Sequence, residues 1–276
     1  MHMQQVSEHV YVETKYLGCN IGVVLTDQGP IVIDTPALPD DTRDLKDQIR
    51  QLAKKRIAYV IYTHEHFDHV IGGHGLSKKV IAQHSAVKDI EYLRENLPTE
   101  INHFFPDLYR QYKDIFDNLN IIPPQITFVT EMTLYSGNIE LHLSRVGGHS
   151  PASSLIYIPQ EKVLFCGDNV DVGMPFVAPY SLFGEWIEAL KTIEGMDVDK
   201  IIPGHEEMCS KKHVRKTRVL FETARDRVQK MIKTNASKED AIKKIDLSDV
   251  IPVPPSPIVK QQVQTMVGMM WEELNE

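Results

Sequence analysis

Four side chains of the kind that bind metal ions stand within six consecutive residues of this sequence: His64, His66, Asp68 and His69. They come directly after 57–62, an apolar run rich in β-branched and aromatic residues that predicts a buried strand. Side chains repeat every second residue in extended chain, so His64 and His66 point to the same side. The other two candidates are then free to face a neighbouring point. This spacing favours two metal ions side by side over one ion with four ligands, and a histidine-rich surface loop is the alternative.

Four more candidate residues stand just after other predicted strands. They are Asp34, His149, Asp168 and His205. In a layered α/β protein the same ends of neighbouring strands converge in space, so these side chains should meet the histidine loop at one edge of the sheets. For Asp34, an ordinary turn ahead of Pro36 is an equally good interpretation of the residues alone. The residues therefore predict an α/β protein with a metal cluster at its strand ends.

At these positions the chain resembles the metallo-β-lactamase superfamily. The histidine loop, THEHFDH, is similar to the family's signature metal loop. GGHS at 147–150, FCGD at 165–168 and IPGH at 202–205 are similar to its later motifs. The resemblance runs from Asp34 to His205, most of the chain. It implies a four-layer αβ/βα sandwich with one or two metal ions at its edge, and hydrolysis as the usual reaction.

The resemblance implies seven metal ligands, all of them histidine or aspartate. They divide into His64, His66 and His149 for the first ion, Asp68, His69 and His205 for the second, and Asp168 as the bridge between them. Two residues would also serve catalysis: Asp34 by fixing the metal loop through hydrogen bonds, and Asp68 as a general base. Imidazole and carboxylate ligands without thiolate suit zinc, with iron and manganese as alternatives. Two such ions held about 3.5–4 Å apart can activate a shared water molecule.

The expected substrate follows from the bridging position and the loop after it. The best-known β-lactamases of the superfamily have a cysteine where this sequence has Asp168, and an aspartate there resembles the glyoxalase II, lactonase and phosphodiesterase branches. The loop 173–183, GMPFVAPYSLF, is apolar and contains no arginine or lysine, which argues against a glutathione-like anion. We expect hydrolysis of a small, partly hydrophobic ester, lactone, thioester or amide, a β-lactam included. The alternatives are a phosphodiesterase or nuclease on the same scaffold and a mononuclear-iron sulfur oxygenase.

Composition narrows these alternatives. The chain has 276 residues, of which 42% are hydrophobic and 25% charged, as in an ordinary globular protein. A formal net charge of −8 argues against a general nucleic-acid-binding protein, which would need a basic face. The three cysteines, Cys19, Cys166 and Cys209, are too widely spaced for a disulfide framework. The first ten residues contain no apolar leader and no run is long enough to span a bilayer. We therefore expect a cytoplasmic protein with a small-molecule substrate and no membrane or nucleic-acid partner.

The elements that position the candidate ligands divide the chain into two predicted parts. Residues 1–235 are expected to form the catalytic domain, in which strand–helix–strand order around the helix 40–55 implies a parallel crossover. Residues 86–124 form a predicted helical insert, whose apolar stripe either packs on the core or covers the active site. Residues 236–276 are expected to form a C-terminal helical extension with a rigid linker at 252–257.

Two features near the C-terminus have competing interpretations. The basic stretch 211–218, KKHVRKTR, is either a solvated helix face or a phosphate-binding patch. The last helix carries an apolar stripe that docks either on its own domain or on a second subunit. Its residues are Val259, Val263, Met266 and Met270. We expect a homodimer through these C-terminal helices.

Overall fold

The computed structural model describes residues 2–251, 253–254 and 256–275. Its strands in chain order are β1 (Gln4–Gln5), β2 (Val10–Glu13), β3 (Ile21–Val24), β4 (Ile31–Ile33), β5 (Tyr59–Ile61), β6 (Val80–Gln83), β7 (Ile126–Phe128), β8 (Glu131–Ser136), β9 (Ile139–Arg145), β10 (Ser154–Ile158), β11 (Val163–Phe165) and β12 (Lys200–Ile202). Its helices are α1 (Pro39–Leu52), α2 (Phe67–Val70), α3 (Ala86–Phe104), α4 (Pro106–Phe116), α5 (Phe183–Gly195), α6 (Lys211–Lys233), α7 (Lys238–Lys244) and α8 (Pro257–Glu273).

The strands form two sheets. The first has the order β1-β2-β3-β4-β5-β6-β7, and the second has the order β12-β11-β10-β9-β8. Strands β4 to β7 run parallel to one another, as do β11 and β12, and the other neighbours are antiparallel. Helix α1 connects the parallel strands β4 and β5, so the predicted crossover is present. Parallel strands end at the same edge of a sheet, which is where candidate ligands follow β4 and β5.

The two sheets pack face to face over a shared apolar core. Ile33 and Ile61 of the first sheet are buried in one cluster with Ile156 and Phe165 of the second. Gly22 of β3 faces this seam, and a Cβ atom there would lie 2.4 Å from the Phe165 ring, so the close approach of the sheets requires glycine. Helices α1 and α3 cover the outer face of the first sheet, and α5, α6 and α8 cover that of the second. The predicted four-layer αβ/βα sandwich is confirmed.

The predicted helical insert consists of α3 and α4. Ile90 and Leu97 of α3 and Phe116 of α4 are buried in the outer core of the first sheet. Much of the apolar stripe therefore packs on the core, which is one of its two predicted roles. The junction between the two helices, at Phe105, lies instead against the histidine loop, where its ring is 5.4 Å from that of Phe67.

Strand β8 has no counterpart among the predicted strands. It pairs with β9 along its whole length, from Glu131 opposite Ser144 to Ser136 opposite Ile139. It forms the edge of the second sheet. Its side chains alternate between exposed and half-buried, because successive side chains of a strand point to opposite faces. Such a run lacks the continuous apolar signal that marks the buried strands.

Helices α7 and α8 complete the outer layer of the second sheet. Met266 and Met270 of α8 are buried in the same apolar cluster as residues of α5 and α6. The apolar stripe thus docks on its own chain, and a homodimer through these helices stays a prediction that would need other surfaces. The boundary between a catalytic domain and a C-terminal extension also stays a prediction, and Pro252 and Pro255 of the predicted linker lie outside the described residues. Across the described ranges, no helix combines the length and the apolar character needed to cross a bilayer.

Candidate metal centre

The ends of strands from both sheets bring the predicted ligands to one edge of the sandwich. Asp34 follows β4, and the histidine loop follows β5. From the second sheet, Asp168 follows β11, His205 follows β12, and His149 lies in the turn between β9 and β10. The cluster is therefore assembled from segments that are remote in sequence, and the layered fold holds them together.

One group of potential ligands forms around the side chain of His149. The group contains His64, His66, His149 and Asp168, whose candidate ligand atoms all lie within 4.8 Å of one another. Nε2 of His149 is 3.0 Å from Nδ1 of His66 and 3.5 Å from Oδ2 of Asp168. Nε2 of His64 is 3.7 Å from the same carboxylate oxygen. Three imidazoles and a carboxylate thus face one point, which is the arrangement predicted for the first ion.

A second group forms on the other side of Asp168. The candidate ligand atoms of Asp68, His69 and His205 also lie within 4.8 Å of one another. Nε2 of His205 is 3.4 Å from Oδ2 of Asp68 and 3.3 Å from Oδ2 of Asp168. Nε2 of His69 is 3.2 Å from Oδ1 of Asp168. The Asp168 carboxylate therefore stands between the two groups, in the position of a bridge.

The buried atoms of this cluster fit a bound cation. Nε2 of His64, Nε2 of His69 and Oδ1 of Asp168 are buried without a hydrogen-bond partner in the part of the chain that the structure describes. Leaving buried polar atoms unpaired costs about 1–3 kcal/mol each, so native proteins rarely do so. Divalent metal ions would satisfy these atoms together. The absence of thiolate from the two groups suits zinc, iron or manganese.

The charge states of the side chains agree with this interpretation. Burial lowers the pKa of His64 well below its usual value and lowers that of His149 to about 3, so both rings are neutral and available as ligands. Burial alone would raise the pKa of Asp168, but His69 and His205 hold it well below its usual value, which keeps the carboxylate ionised. For His205, burial lowers the pKa, but Asp168 raises it to about 9 overall. Burial lowers the pKa of His69 as well, but Cys19 and Asp168 raise it well above its usual value. Metal binding at His69 and at His205 would therefore each release a proton.

Asp34 lies behind the cluster and orients His69. Its Oδ1 accepts a hydrogen bond of 2.7 Å from the backbone N–H of Thr63. Its Oδ2 accepts one of 2.7 Å from the Thr63 hydroxyl and one of 2.9 Å from Nδ1 of His69. Because a carboxylate only accepts, Nδ1 of His69 carries a proton, and Nε2 is the ring atom that would bind a metal. Asp34 thus makes the hydrogen bonds that the supporting role implied by the resemblance requires, and the role itself stays a prediction.

Asn20 supports His205, and nothing in the sequence pointed to it. The Asn20 side chain is buried and donates to the carbonyl oxygens of Pro203 at 3.0 Å and Glu206 at 2.9 Å. Its backbone N–H donates to the carbonyl of Gly204 at 2.7 Å. These hydrogen bonds fix the backbone on both sides of His205. Asn20 lies more than 180 residues away in sequence and in no motif, so only the fold could reveal the contact.

Two further links fix the turn that carries His149. Asn169 accepts a hydrogen bond of 3.0 Å from the backbone N–H of His149 and donates one of 2.9 Å to the carbonyl of Gly147. Glu65, buried within the histidine loop, accepts one of 2.8 Å from the hydroxyl of Ser150. Both residues adjoin a predicted ligand in sequence, which was the only available signal for their roles.

The sequence is similar to those of several known proteins. The sequence model of the family described as "Metallo-beta-lactamase superfamily" matches residues 15–205. The alpha subunit of 2,4-dinitroanisole O-demethylase from Nocardioides sp. (strain JS1661) is 27% identical over 183 residues, which are 65% of this chain and 50% of that protein. Metallo-beta-lactamase type 2 from Bacillus cereus is 23% identical over 221 residues, 75% of this chain and 77% of that protein.

Among solved structures, the stereoselective inverting sec-alkylsulfatase from Pseudomonas sp. superposes with a TM-score of 0.75 at 16% identity. The match covers 98% of this chain and 49% of the alkylsulfatase. The chain thus spans about half the length of the demethylase subunit and of the alkylsulfatase. At this identity the likeness to the alkylsulfatase concerns the fold alone.

Proposed function

The chain belongs to the metallo-β-lactamase superfamily, and from that premise we propose that it is a hydrolase that works with two divalent metal ions, zinc being the best fit to its ligands. The observation that carries the proposal is the Asp168 carboxylate standing between two groups of ligands, with buried atoms of both groups otherwise unpaired. The first ion would be held by His64, His66 and His149, the second by Asp68, His69 and His205, and Asp168 would be shared.

The chemistry divides between the ions and the side chains around them. When bound, divalent ions lower the pKa of water and stabilise the negative charge that develops on a carbonyl under attack. Asp168 sets the separation of the two ligand groups. Asp68 is the more accessible carboxylate, with 18% of its side chain exposed against 7% for Asp168, so it can take up the proton that the attacking water loses. Asp34 keeps His69 in the tautomer that leaves Nε2 unprotonated.

The charged residues of the site favour a substrate in which the group to be cleaved is uncharged. The strongest charged influences on the pKa values of Asp168, Asp171 and His205 come from histidines and carboxylates, and none of them is a lysine or arginine. The loop 173–183 after Asp168 also contains no arginine or lysine, which supports a neutral ester, lactone, thioester or amide, a β-lactam among them. The demethylase, β-lactamase and alkylsulfatase differ in the reactions that their names state, so they do not narrow the substrate further.

The alternatives have less support. Arg215 and Arg218 of the basic stretch both donate to Glu194 of α5, so their charge is neutralised within the protein instead of forming a phosphate-binding patch. Together with the net charge of −8, this pairing counts against a nuclease or phosphodiesterase. Two ligand groups joined by a carboxylate count against a mononuclear-iron sulfur oxygenase.

A substrate panel on the zinc-loaded chain tests the proposal. The panel holds a neutral aryl ester, a lactone, a thioester, a β-lactam and a phosphodiester. We expect the protein to hydrolyse at least one of the carbonyl substrates, which are the ester, the lactone, the thioester and the β-lactam. His66→Ala should lower turnover by at least about 10²-fold, because the first ion loses a ligand. His74→Ala is the matched control, since His74 is an exposed histidine outside the cluster. Equal turnover in His66→Ala and wild type at matched metal content would refute the assignment of the site.

A further inference from the structure

Large apolar side chains are exposed around the metal cluster, although exposure of such groups is costly. Phe105 is 40% exposed, Phe176 51% and Tyr180 70%, and Leu17 and Tyr92 are exposed as well. Leu17, Tyr92 and Phe105 lie on segments that contact the histidine loop, and Phe176 and Tyr180 lie on the segment that follows Asp168. Contiguous exposed apolar surface beside a site usually marks a binding surface. We call these five side chains, together with Phe67, the apolar collar.

The insert and the first loop form one side of the collar. Phe67 stands between His66 and Asp68, and its ring centroid is 5.4 Å from that of Phe105, at the junction of α3 and α4. Leu17 precedes Gly18, whose backbone packs so closely on the histidine loop that a Cβ atom there would lie 3.2 Å from the carbonyl oxygen of Asp68. This side of the collar is therefore attached to the loop that supplies ligands to both groups.

The segment 171–182 forms the other side. The hydroxyl of Ser181 donates to the carbonyl of His149 at 2.9 Å, and the backbone N–H of Leu182 donates to that of Gly148 at 2.8 Å. Phe176 is held by its backbone N–H, which donates to Oδ2 of Asp171 at 3.3 Å. The segment that carries Phe176 and Tyr180 is thus anchored to the turn of His149, and both aromatic side chains stay exposed.

Both sides are thus attached to segments that supply ligands to the cluster, the first through Phe67 and Gly18 and the second through His149. A group that approaches the cluster along either side would meet the exposed aromatic and aliphatic side chains of the collar.

We propose that the apolar collar binds the acyl or alkyl part of an uncharged ester-type substrate and sets the preference of the enzyme for long apolar groups over short or anionic ones. The inference rests on the proposed hydrolytic function and adds the substrate class. Burying one methylene group favours binding enough to raise kcat/KM about fourfold if the contact is kept in the transition state. Short acyl groups would not reach the collar, and an anionic tail would lose its hydration among apolar side chains.

Turnover of a homologous series tests the proposal on the full, zinc-loaded chain. The substrates are aryl esters from acetyl to octanoyl and an octanoyl ester that ends in a carboxylate. We expect kcat/KM to rise by about fourfold per methylene over part of the series and to fall for the anionic ester. Phe105→Ala and Phe176→Ala should flatten the rise, so that the ratio of kcat/KM for the octanoyl ester to that for the acetyl ester falls in each variant.

Tyr135→Ala provides the matched control. Tyr135 is an aromatic side chain that is 69% exposed near the β8–β9 turn, which lies against Asp27 and away from the ligand loops. Its removal should leave the chain-length profile unchanged. If wild type cleaves all the neutral esters equally well, or if both collar variants keep the wild-type profile, the collar does not select the substrate, and the hydrolytic function stands.

A binding measurement separates the collar from catalysis. Octan-1-ol is neutral and has no bond that the site could hydrolyse, and its binding is followed by calorimetry. We expect binding to wild type and Tyr135→Ala, and weaker binding to Phe105→Ala and Phe176→Ala. Equal binding to all four proteins would overturn the collar whether or not any ester is cleaved. Binding as expected without hydrolysis of any substrate would overturn the proposed function alone.

Discussion

Replacing Asp34 by asparagine tests whether a residue that hydrogen-bonds to a metal ligand determines the affinity for metal. Asp34 accepts from the Thr63 N–H with one oxygen, and from the Thr63 hydroxyl and Nδ1 of His69 with the other. Asparagine has nearly the same shape but only one acceptor oxygen. If its NH₂ group faces the Thr63 N–H, two donors oppose each other. If it faces His69, Nδ1 must become an acceptor and the proton moves to Nε2, the atom that points at Asp168.

Either orientation weakens the second metal site. Loss of a charge-assisted buried hydrogen bond costs about 1.5–3 kcal/mol, and changes to residues that orient metal ligands typically cost about 10–100-fold in metal affinity. The two estimates agree, because 10–100-fold corresponds to about 1.4–2.7 kcal/mol. We expect Asp34→Asn to weaken zinc binding at the second site by about 10–100-fold. Binding at the first site should weaken less, because Asp34 reaches its ligand His64 only through the hydroxyl of Thr63, which lies 3.1 Å from Nδ1 of His64.

The assay is competition of the metal-free protein with a chromophoric chelator, which resolves the two dissociation constants. Asp47→Asn is the control, because the Asp47 side chain is 64% exposed and pairs with Arg50 on the surface of α1. Activity of Asp34→Asn should recover when zinc is raised. Unchanged affinity at both sites would refute the reasoning. So would equal weakening of both sites with an intact fold, since it would mean that Asp34 does not act through His69.

Three other predictions concern residues around the cluster. Asn20→Ala removes two hydrogen bonds beside His205 and should weaken zinc binding at the second site by about tenfold in the same titration, with the first site unchanged. Gly204→Ala would place a Cβ atom 1.8 Å from Oδ1 of Asp168, so displacement of the carboxylate should lower kcat by about 10²–10³ while the circular dichroism spectrum is retained. Glu194→Gln should lower Tm at pH 7 by at most about 3 °C. Burial raises the pKa of Glu194, but Arg218 outweighs burial and lowers that pKa below its usual 4.5. The ion pair of Glu194 therefore stabilises the fold above pH 4.5, and the difference in Tm between wild type and Glu194→Gln should close as the pH falls below that value.

Much of the fold and of the ligand set could be predicted because both leave local patterns in the sequence. Ligands such as Asp168 and His205 stand just after buried strands, and buried strands are continuous apolar runs. In a layered fold this position is enough to predict that they meet, even though the segments are far apart in sequence. The resemblance to a known family then supplied the division into two groups with Asp168 between them.

What could not be predicted depends on contacts between remote segments. Asn20 acts through the backbone carbonyls beside His205, and no pattern of residue types in the sequence indicates a hydrogen bond to the backbone. The junction of the insert at Phe105 was predicted as part of an apolar stripe, yet it lies on Phe67 with its ring partly exposed, because the turn between two helices points it away from the core. Strand β8 was not predicted because an edge strand needs no apolar run.

Zinc titration of metal-free protein, with hydrolysis of a neutral aryl ester measured after each addition, tests the two-ion hydrolase most directly. Bound zinc should reach two equivalents per chain, and turnover should rise to its plateau only as the second ion binds, since Asp168 joins both ligand groups. Elemental analysis of the same samples gives the metal content independently of activity. Full turnover at a stable content of one ion per chain would contradict the account.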